Sequence, residues 1–276
     1  MNIALCFCVR NCEKYLPAIF KNIDLFKTLD VNVYSIFAYD NCKDQSEKLL
    51  FDYKELNKDN VIIINVENNI GYRTERIAKA RNSCLDVIYN KLKDISFHIM
   101  IDSDDRCSKK WDVNIINKYL NNFDNDNWDC ISFNRKDYYD IWALLDHDIK
   151  EHCWGFGKNS NNVIRYMKHK IKNRFNNKTN SINVISAFCG LCIYNTKRFK
   201  GFHYDGLYKN FKELITDEER NKTIENLKNV GLNIKLSPSN LRPGNSNECC
   251  EYLYYHLSAF KEGRIIKISK FRFLDL

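Results

Sequence analysis

The run Phe97-His98-Ile99-Met100-Ile101-Asp102-Ser103-Asp104-Asp105 decides how this chain is read. A strand-like apolar stretch passes directly into closely spaced carboxylates. Such groups at the end of a buried strand repel one another and are poorly solvated, so their clustering costs energy unless a cation sits among them. Hard oxygen ligands suit Mg²⁺ or Mn²⁺, and such an ion in turn holds a diphosphate. An Asp-rich capping turn is the plainer account of the same residues. The position of the run, after the last of four regularly spaced strands, favours a site.

Working outward, strand-like runs at 3–9, 31–38, 61–66 and 96–101 alternate with helical patterns. The first helical pattern, 13–27, places Leu16, Ile19, Phe20, Ile23 and Phe26 on one face. The second covers 44–56, and the third runs for about 20 residues from Thr74. The spacing predicts β-α-β-α-β-α-β, hence an α/β fold with a mostly parallel, doubly wound sheet. Ligands of such sheets sit beyond the carboxyl ends of the strands, which directs attention to residues 10–12, 39–43, 68–76 and 102–106. The second half is less regular. Strands are expected at 130–133, 188–194 and 264–268, with an aromatic helix at 249–260 and a basic, Asn-rich stretch at 158–183. Neither a repeat nor a linker interrupts the chain, so residues 1–276 are expected to form one domain whose halves, 1–106 and 107–276, share one sheet.

Composition narrows the function classes. With 44% hydrophobic and 28% charged residues in 276, and only 9 Gly and 3 Pro, the chain is neither disordered nor fibrous. No run approaches the roughly 18 apolar residues of a membrane span. Residues 3–9 lack the basic flank and small-residue cleavage site of a signal peptide, so a cytoplasmic location is expected. Many of the twelve cysteines, among them Cys6, Cys8, Cys130, Cys189 and Cys192, lie in apolar strand-like segments. They read as reduced core thiols, with zinc not expected. The net charge of +8 is concentrated: between Lys158 and Lys212, twelve Lys or Arg accompany one acid, Asp205. Such an excess suits an acidic or membrane-linked partner or a phosphorylated substrate; a solvated basic face accounts for it equally well.

The second chemical feature is Gly71-Tyr72-Arg73-Thr74-Glu75-Arg76-Ile77-Ala78-Lys79-Ala80-Arg81-Asn82. Gly71 and Thr74 fit a turn and a helix start, and Arg73, Arg76 and Arg81 cannot all share one apolar face. Some must point to the carboxyl edge of the sheet. There, bidentate Arg beside Asp102–Asp105 would make a charge-balanced site for a metal diphosphate. Ordinary surface placement suits Arg76 better than Arg81.

Taken in order, Val9-Arg10-Asn11-Cys12-Glu13, Tyr39-Asp40-Asn41-Cys42-Lys43-Asp44, the Arg73 to Asn82 string and Ile101-Asp102-Ser103-Asp104-Asp105 resemble GT-A glycosyltransferases. The Arg-x-x-Arg-Ile-Ala-x-x-Arg-Asn string is most similar to the capsule-associated mannosyltransferase-like group and to transferases of large DNA viruses. The resemblance covers residues 3–106 well and continues more loosely through Ser186-Ala187-Phe188-Cys189-Gly190, where Leu191 replaces a second Gly, and Glu248-Cys249-Cys250-Glu251-Tyr252. It implies a GT-A, Rossmann-like fold whose residues 1–106 bind a UDP- or GDP-linked sugar and whose residues 107–276 bind a carbohydrate or glycoconjugate acceptor. It implies Mn²⁺ or Mg²⁺ as cofactor, hexosyl transfer in glycan biosynthesis and, for a viral protein, the host cytoplasm. Arg10 and Asn11 would lie beside the base, and Asp40 and Asn41 at base or ribose. Arg73, Arg76, Arg81 and Ser103 would contact the donor, Arg81 at its diphosphate or sugar. Asp102 would face ribose or sugar, and it is grouped with Asp104 as a metal ligand, with His256 completing that site. Glu251 falls at the catalytic base of inverting enzymes, with Glu248 and Asp205 as rivals.

Two other classes stay open. A nucleotidyltransferase of similar fold normally shows a Gly-rich loop after the first strand, which Arg10-Asn11-Cys12-Glu13 lacks. A nucleic-acid-binding protein would use the basic stretch with Tyr166 and Phe175, and its affinity would fall steeply with salt.

Overall fold

The computed structural model describes residues 1–67, 71–123, 127–135, 138–175, 179–236 and 247–274. Parts of the expected 68–76 ligand segment and of the basic stretch, residues 68–70 and 176–178, therefore lie outside the described residues.

The first half follows the expected alternation: β1 (Asn2–Val9), α1 (Leu16–Leu25), β2 (Asn32–Tyr39), α2 (Ser46–Leu56), β3 (Val61–Asn65), α3 (Arg73–Asn90) and β4 (Ile95–Asp102). The second half adds α4 (Val113–Asn121), β5 (Cys130–Phe133), α5 (Ser160–Arg174), β6 (Ser181–Val184), β7 (Leu191–Asn195), α6 (Thr196–Phe199), α7 (Tyr208–Glu213), α8 (Asp217–Asn229), α9 (Glu251–Lys261) and β8 (Ile266–Ser269). All eight strands join one sheet in the order β3-β2-β1-β4-β7-β5-β8-β6. The expected 188–194 strand begins only at Leu191, because Gly190 takes a φ of +93°. A Cβ there would also meet Arg135 Nη2 at 2.6 Å and Cys107 Sγ at 2.8 Å. The basic stretch folds largely as α5, with Val163, Met167 and Ile171 on its buried face.

Both faces of the sheet are covered, as parallel strands require. Along β1, Ile3, Leu5, Phe7 and Val9 enter one core, and Ala4 and Cys6 enter the other. The first core is closed by Leu16, Ile19 and Ile23 of α1 and Ile116 of α4; the second by Ala78, Cys84 and Leu85 of α3 and Leu253 and Leu257 of α9.

Strand directions then place the site. β1, β2, β3 and β4 run parallel, so Arg10, Asp40 and Asp102 emerge at one edge. β7 runs antiparallel to β4 with Ile101 opposite Leu191, which brings the segment before β7, including Phe188, to the same edge. β5 is antiparallel to β7, so the chain leaving Phe133 also emerges there.

Candidate active site

A cavity of about 430 Å³ opens at that edge, lined among others by Arg10, Asp40, Arg73, Arg76, Arg81, Asp102, Ser103, Asp104, Asp140, Phe188 and Glu251. α3 starts here because the Glu75 carboxylate reaches back to accept from Tyr72 N–H at 2.9 Å. Burial of Ala78, Arg81 and Leu85 along one stripe turns Arg81 inward, although it is charged.

Arg81 is the hub. Its side chain is 6% exposed, and Nη2 lies 3.3 Å from Asp102 Oδ1 and 3.2 Å from Glu251 Oε1. The guanidinium carbon sits 4.0 Å from the centroid of the Tyr252 ring and 5.1 Å from that of Phe188, and those rings stack on each other at 4.0 Å. Burial alone would lower its pKa, but Glu251, Cys8 and Asp102 raise it, so Arg81 stays cationic. Its Nε and Nη1 are buried without a hydrogen-bond partner in the protein.

The carboxylates around it respond to crowding. Burial pushes Asp102 up to about 7; Arg81 opposes this, whereas Asp104, Asp140 and Glu251 add to it. Burial, followed by Glu251, likewise lifts Asp140 to about 7. Burial also raises Asp104, while its hydrogen bond from Arg106 N–H, 2.9 Å long, works the other way. Asp40 is buried at the end of β2, with Oδ2 3.3 Å from Arg10 Nη1 and 3.8 Å from Arg76 Nε. Its Oδ1 and the Ser103 hydroxyl are buried without a protein partner.

Asn11 and Asn41, both at positive φ, shape the turns after β1 and β2 and do not line the cavity. Asn11 Oδ1 accepts from Lys43 N–H at 2.7 Å. Glu248 lies outside the lining, where its carboxylate accepts from Thr74 N–H at 3.2 Å and so caps α3. Asp205 accepts from Leu207 N–H at 2.8 Å and from Asn210 Nδ2 at 2.6 Å, beside a second, shallower hollow. Next to it, Gly206 presses on α3 so closely that a Cβ would fall 2.3 Å from the Thr74 carbonyl carbon. His256 is buried under α9, its Nε2 2.9 Å from the Tyr194 hydroxyl, and burial lowers its pKa to about 3. The structure thus brings Glu251 into the cavity with Asp102, Asp104 and Arg81, and leaves Glu248, Asp205 and His256 outside it.

Asp140 is the residue that sequence reasoning passed over. It follows the carboxyl end of β5, and applying the strand-end rule to that strand would have found it.

A divalent metal fits this donor set. Asp102 and Asp104 offer hard oxygen donors, although Cys8, Cys12 and Cys250 also line the cavity, and burial with the neighbouring carboxylates raises Asp102, a shift that a bound cation would oppose. Among the described residues, no three of the cavity carboxylates bring ligand atoms within 4.8 Å of one another. That suits an ion held by one or two carboxylates and completed by substrate phosphates.

No protein-family model and no curated protein matches the chain. Among solved structures, it is similar to S. aureus TarS 1–349 in complex with UDP-GlcNAc, at 16% identity over 90% of this chain and 58% of that one, with a TM-score of 0.42. It is similar to the mannosyltransferase PcManGT of Pyrobaculum calidifontis in complex with GDP-Man and Mn²⁺, at 12% identity over 72% and 47% of the two chains, with a TM-score of 0.40. It is also similar to M. tuberculosis glucosyl-3-phosphoglycerate synthase in complex with Mn²⁺, UDP and phosphoglyceric acid, at 10% identity over 84% and 66%, with a TM-score of 0.43. The chain spans about 60% of the length of TarS 1–349. No helix among the described residues is long and apolar enough to cross a membrane.

Proposed function

We propose that this chain is a metal-dependent glycosyltransferase of GT-A type that moves a sugar from a nucleoside diphosphate to an acceptor hydroxyl, with inversion. The observation that carries the reading is the meeting, in one cavity, of Asp102 and Asp104 with Arg81 and Glu251.

Asp40 Oδ1, a buried acceptor, would receive an N–H of the base, with Arg10 and Arg76 beside that carboxylate. Arg73 supplies positive charge at the mouth of the cavity for phosphate oxygens. Asp102 and Asp104 would hold Mn²⁺ or Mg²⁺. When bound, the ion neutralises charge on the departing diphosphate. Glu251, at the first position of α9, accepts the proton of the attacking hydroxyl, and its bond to Arg81 fixes the carboxylate for that task. Phe188 and Tyr252, stacked on each other, wall the cavity beside Arg81.

The acceptor would be a glycan or glycoconjugate held by residues 107–276. An acidic or membrane-linked acceptor is supported by exposed Lys158, Lys168 and Lys172 on and beside α5. The local basic excess is nevertheless smaller than the sequence suggests, because Lys170 and Arg174 pair with Asp146, and Arg198 pairs with Asp129.

The test is release of nucleoside diphosphate from a panel of UDP- and GDP-sugars with Mn²⁺, using the intact chain and Glu251→Gln. Metal-dependent release from one donor, suppressed in the variant, is expected. Release that is indifferent to both the metal and Glu251 would refute the assignment.

A further inference from the structure

Beside the acidic turn that follows β4 stands a cation outside the cavity lining. Arg135 lies just past Phe133, the last residue of β5, and is partly buried. One edge of its guanidinium joins two separate segments. Nε donates to Cys189 O at 3.1 Å and Nη2 to Arg106 O at 2.8 Å, with Cys107 Sγ 3.6 Å from the same Nη2. Tyr139, which does line the cavity, has the guanidinium carbons of Arg135 and Arg106 each 5.1 Å from its ring centroid, and the Phe273 ring lies 5.5 Å from that of Arg135. Gly190 makes the approach possible, since a Cβ there would fall 2.6 Å from Nη2.

The segments it joins are those that aim the carboxylates. Gly190 O accepts from Asp102 N–H at 3.0 Å and from the Cys107 thiol at 3.1 Å. Between these anchors, Arg106 N–H donates to Asp104 Oδ1 at 2.9 Å and Cys107 N–H to Asp104 O at 3.2 Å. Residues 103–107 belong to no helix or strand, and the like charges of Asp102, Asp104 and Asp105 push the turn apart. Arg135 ties Arg106 to Cys189, so the turn is held at its far end as well as at Asp102.

We propose, on the metal-dependent transferase reading above, that Arg135 is a positioning residue that presets Asp102 and Asp104 for a divalent cation without touching cation or substrate. Its planar fork suits the task. Two donors on one rigid edge fix two carbonyls relative to each other, whereas an ammonium supplies charge without that geometry. Groups that orient metal ligands from behind typically change metal affinity by about 10–100-fold when removed. Arg81 and Arg135 thus divide the work: the first faces the cavity and pairs with carboxylates, and the second binds main-chain carbonyls outside it.

In the test, Mn²⁺ is titrated into the full-length parent, Arg135→Met and Arg135→Lys at a fixed concentration of UDP or GDP, and bound metal is read from water-proton relaxation. Arg198→Lys, at a guanidinium that holds Asp129 outside the cavity, is the control, and urea unfolding of each variant is recorded alongside. Half-saturation at a Mn²⁺ concentration about 10–100-fold above the parent's in both Arg135 variants, and at the parent's value in Arg198→Lys, is expected. A lowered urea midpoint with parent-like half-saturation means a merely structural Arg135 and overturns the inference. Parent-like binding in Arg135→Lys alone overturns it as well, because charge without the fork then suffices. Should Arg135→Met fail to fold, Arg135→Lys, which keeps the charge and an aliphatic stem, carries the test. A parent that binds no Mn²⁺ with either nucleotide refutes the metal site itself, an outcome distinct from a parent that binds Mn²⁺ and variants that match it.

Discussion

Two groups of acidic side chains in this molecule are held in opposite electrostatic states. Around the cavity, Asp102 and Glu251 pair with one buried guanidinium, that of Arg81, and burial lifts Asp102 and Asp140 to about 7. Between α5 and α8 the acids are matched. Asp146 meets Lys170 at 2.7 Å and Arg174 at 3.0 Å; Glu219 meets Lys150 at 2.8 Å and Lys261 at 3.3 Å. Although burial works against it, the hydrogen bond from Lys150 helps draw Glu219 down to about 2. A protein stabilises itself by matching charges and keeps a deficit where a ligand supplies the missing cation. The difference sets the cavity carboxyls apart from the paired acids of α5 and α8, although burial also lifts Glu151, outside the cavity, to about 7.

The comparison breaks most severely at Arg81. Arg81→Met leaves Asp102 and Glu251 buried together with no cation, and urea unfolding should register a loss of about 3–5 kcal/mol. A loss under about 1 kcal/mol, the range of exposed pairs, would mean that the pairs are solvated and the contrast is unfounded. Glu251→Gln should instead spare the fold and reduce transfer by about 10²–10⁴-fold, while nucleoside diphosphate affinity stays within a few-fold. Full turnover in that variant would remove Glu251 from the chemistry.

The pH dependence of stability should run in opposite directions for the two groups. Asp140 binds its proton more tightly in the folded state, so the chain loses stability through it as pH rises from about 4 to about 7. Asp140→Asn should therefore unfold at higher denaturant than the parent at pH 8, by on the order of 1–3 kcal/mol, and match it near pH 4. Glu219 binds its proton less tightly when folded, so its contribution is present above about 4.5 and lost as pH falls towards about 2. Glu219→Gln should cost on the order of 1 kcal/mol at pH 7 and nothing near pH 2, with turnover unchanged. Parallel pH profiles for the two variants would erase the distinction. The smallest effect is expected at Lys168→Glu with Lys172→Glu, which should lower transfer to an acidic acceptor and leave donor turnover alone. Equal activity on acidic and neutral acceptors in that variant would show that α5 is only a solvated face.

Legibility in the sequence follows the same division. The parallel half announces itself, because strands buried on both faces read as apolar runs and α1 to α3 as periodic stripes, so β1 to β4 and their ligand-bearing ends lie close to where the spacing puts them. The other half is mixed. β7 and β5 are short, and α5 hides its buried stripe of Val163, Met167 and Ile171 among basic residues. The site shows the same limit. Asp102 and Asp104 are visible because they abut an apolar strand. Asp140 lies several residues beyond one, and its place in the cavity depends on how β5 pairs with β7. That Glu251 lines the cavity and Glu248 caps α3 is a matter of tertiary contact, for both residues flank the same Cys-Cys pair.

The central claim is that the charge deficit around Arg81 is a metal diphosphate site. Thermal shift of the intact chain and Asp104→Ala with UDP, GDP, CDP and dTDP, each with and without Mn²⁺, tests it most directly. Metal-dependent stabilisation by one nucleoside diphosphate, lost in Asp104→Ala, is the predicted result. No stabilisation of the folded parent by any of the four, or equal stabilisation of the variant, would contradict it.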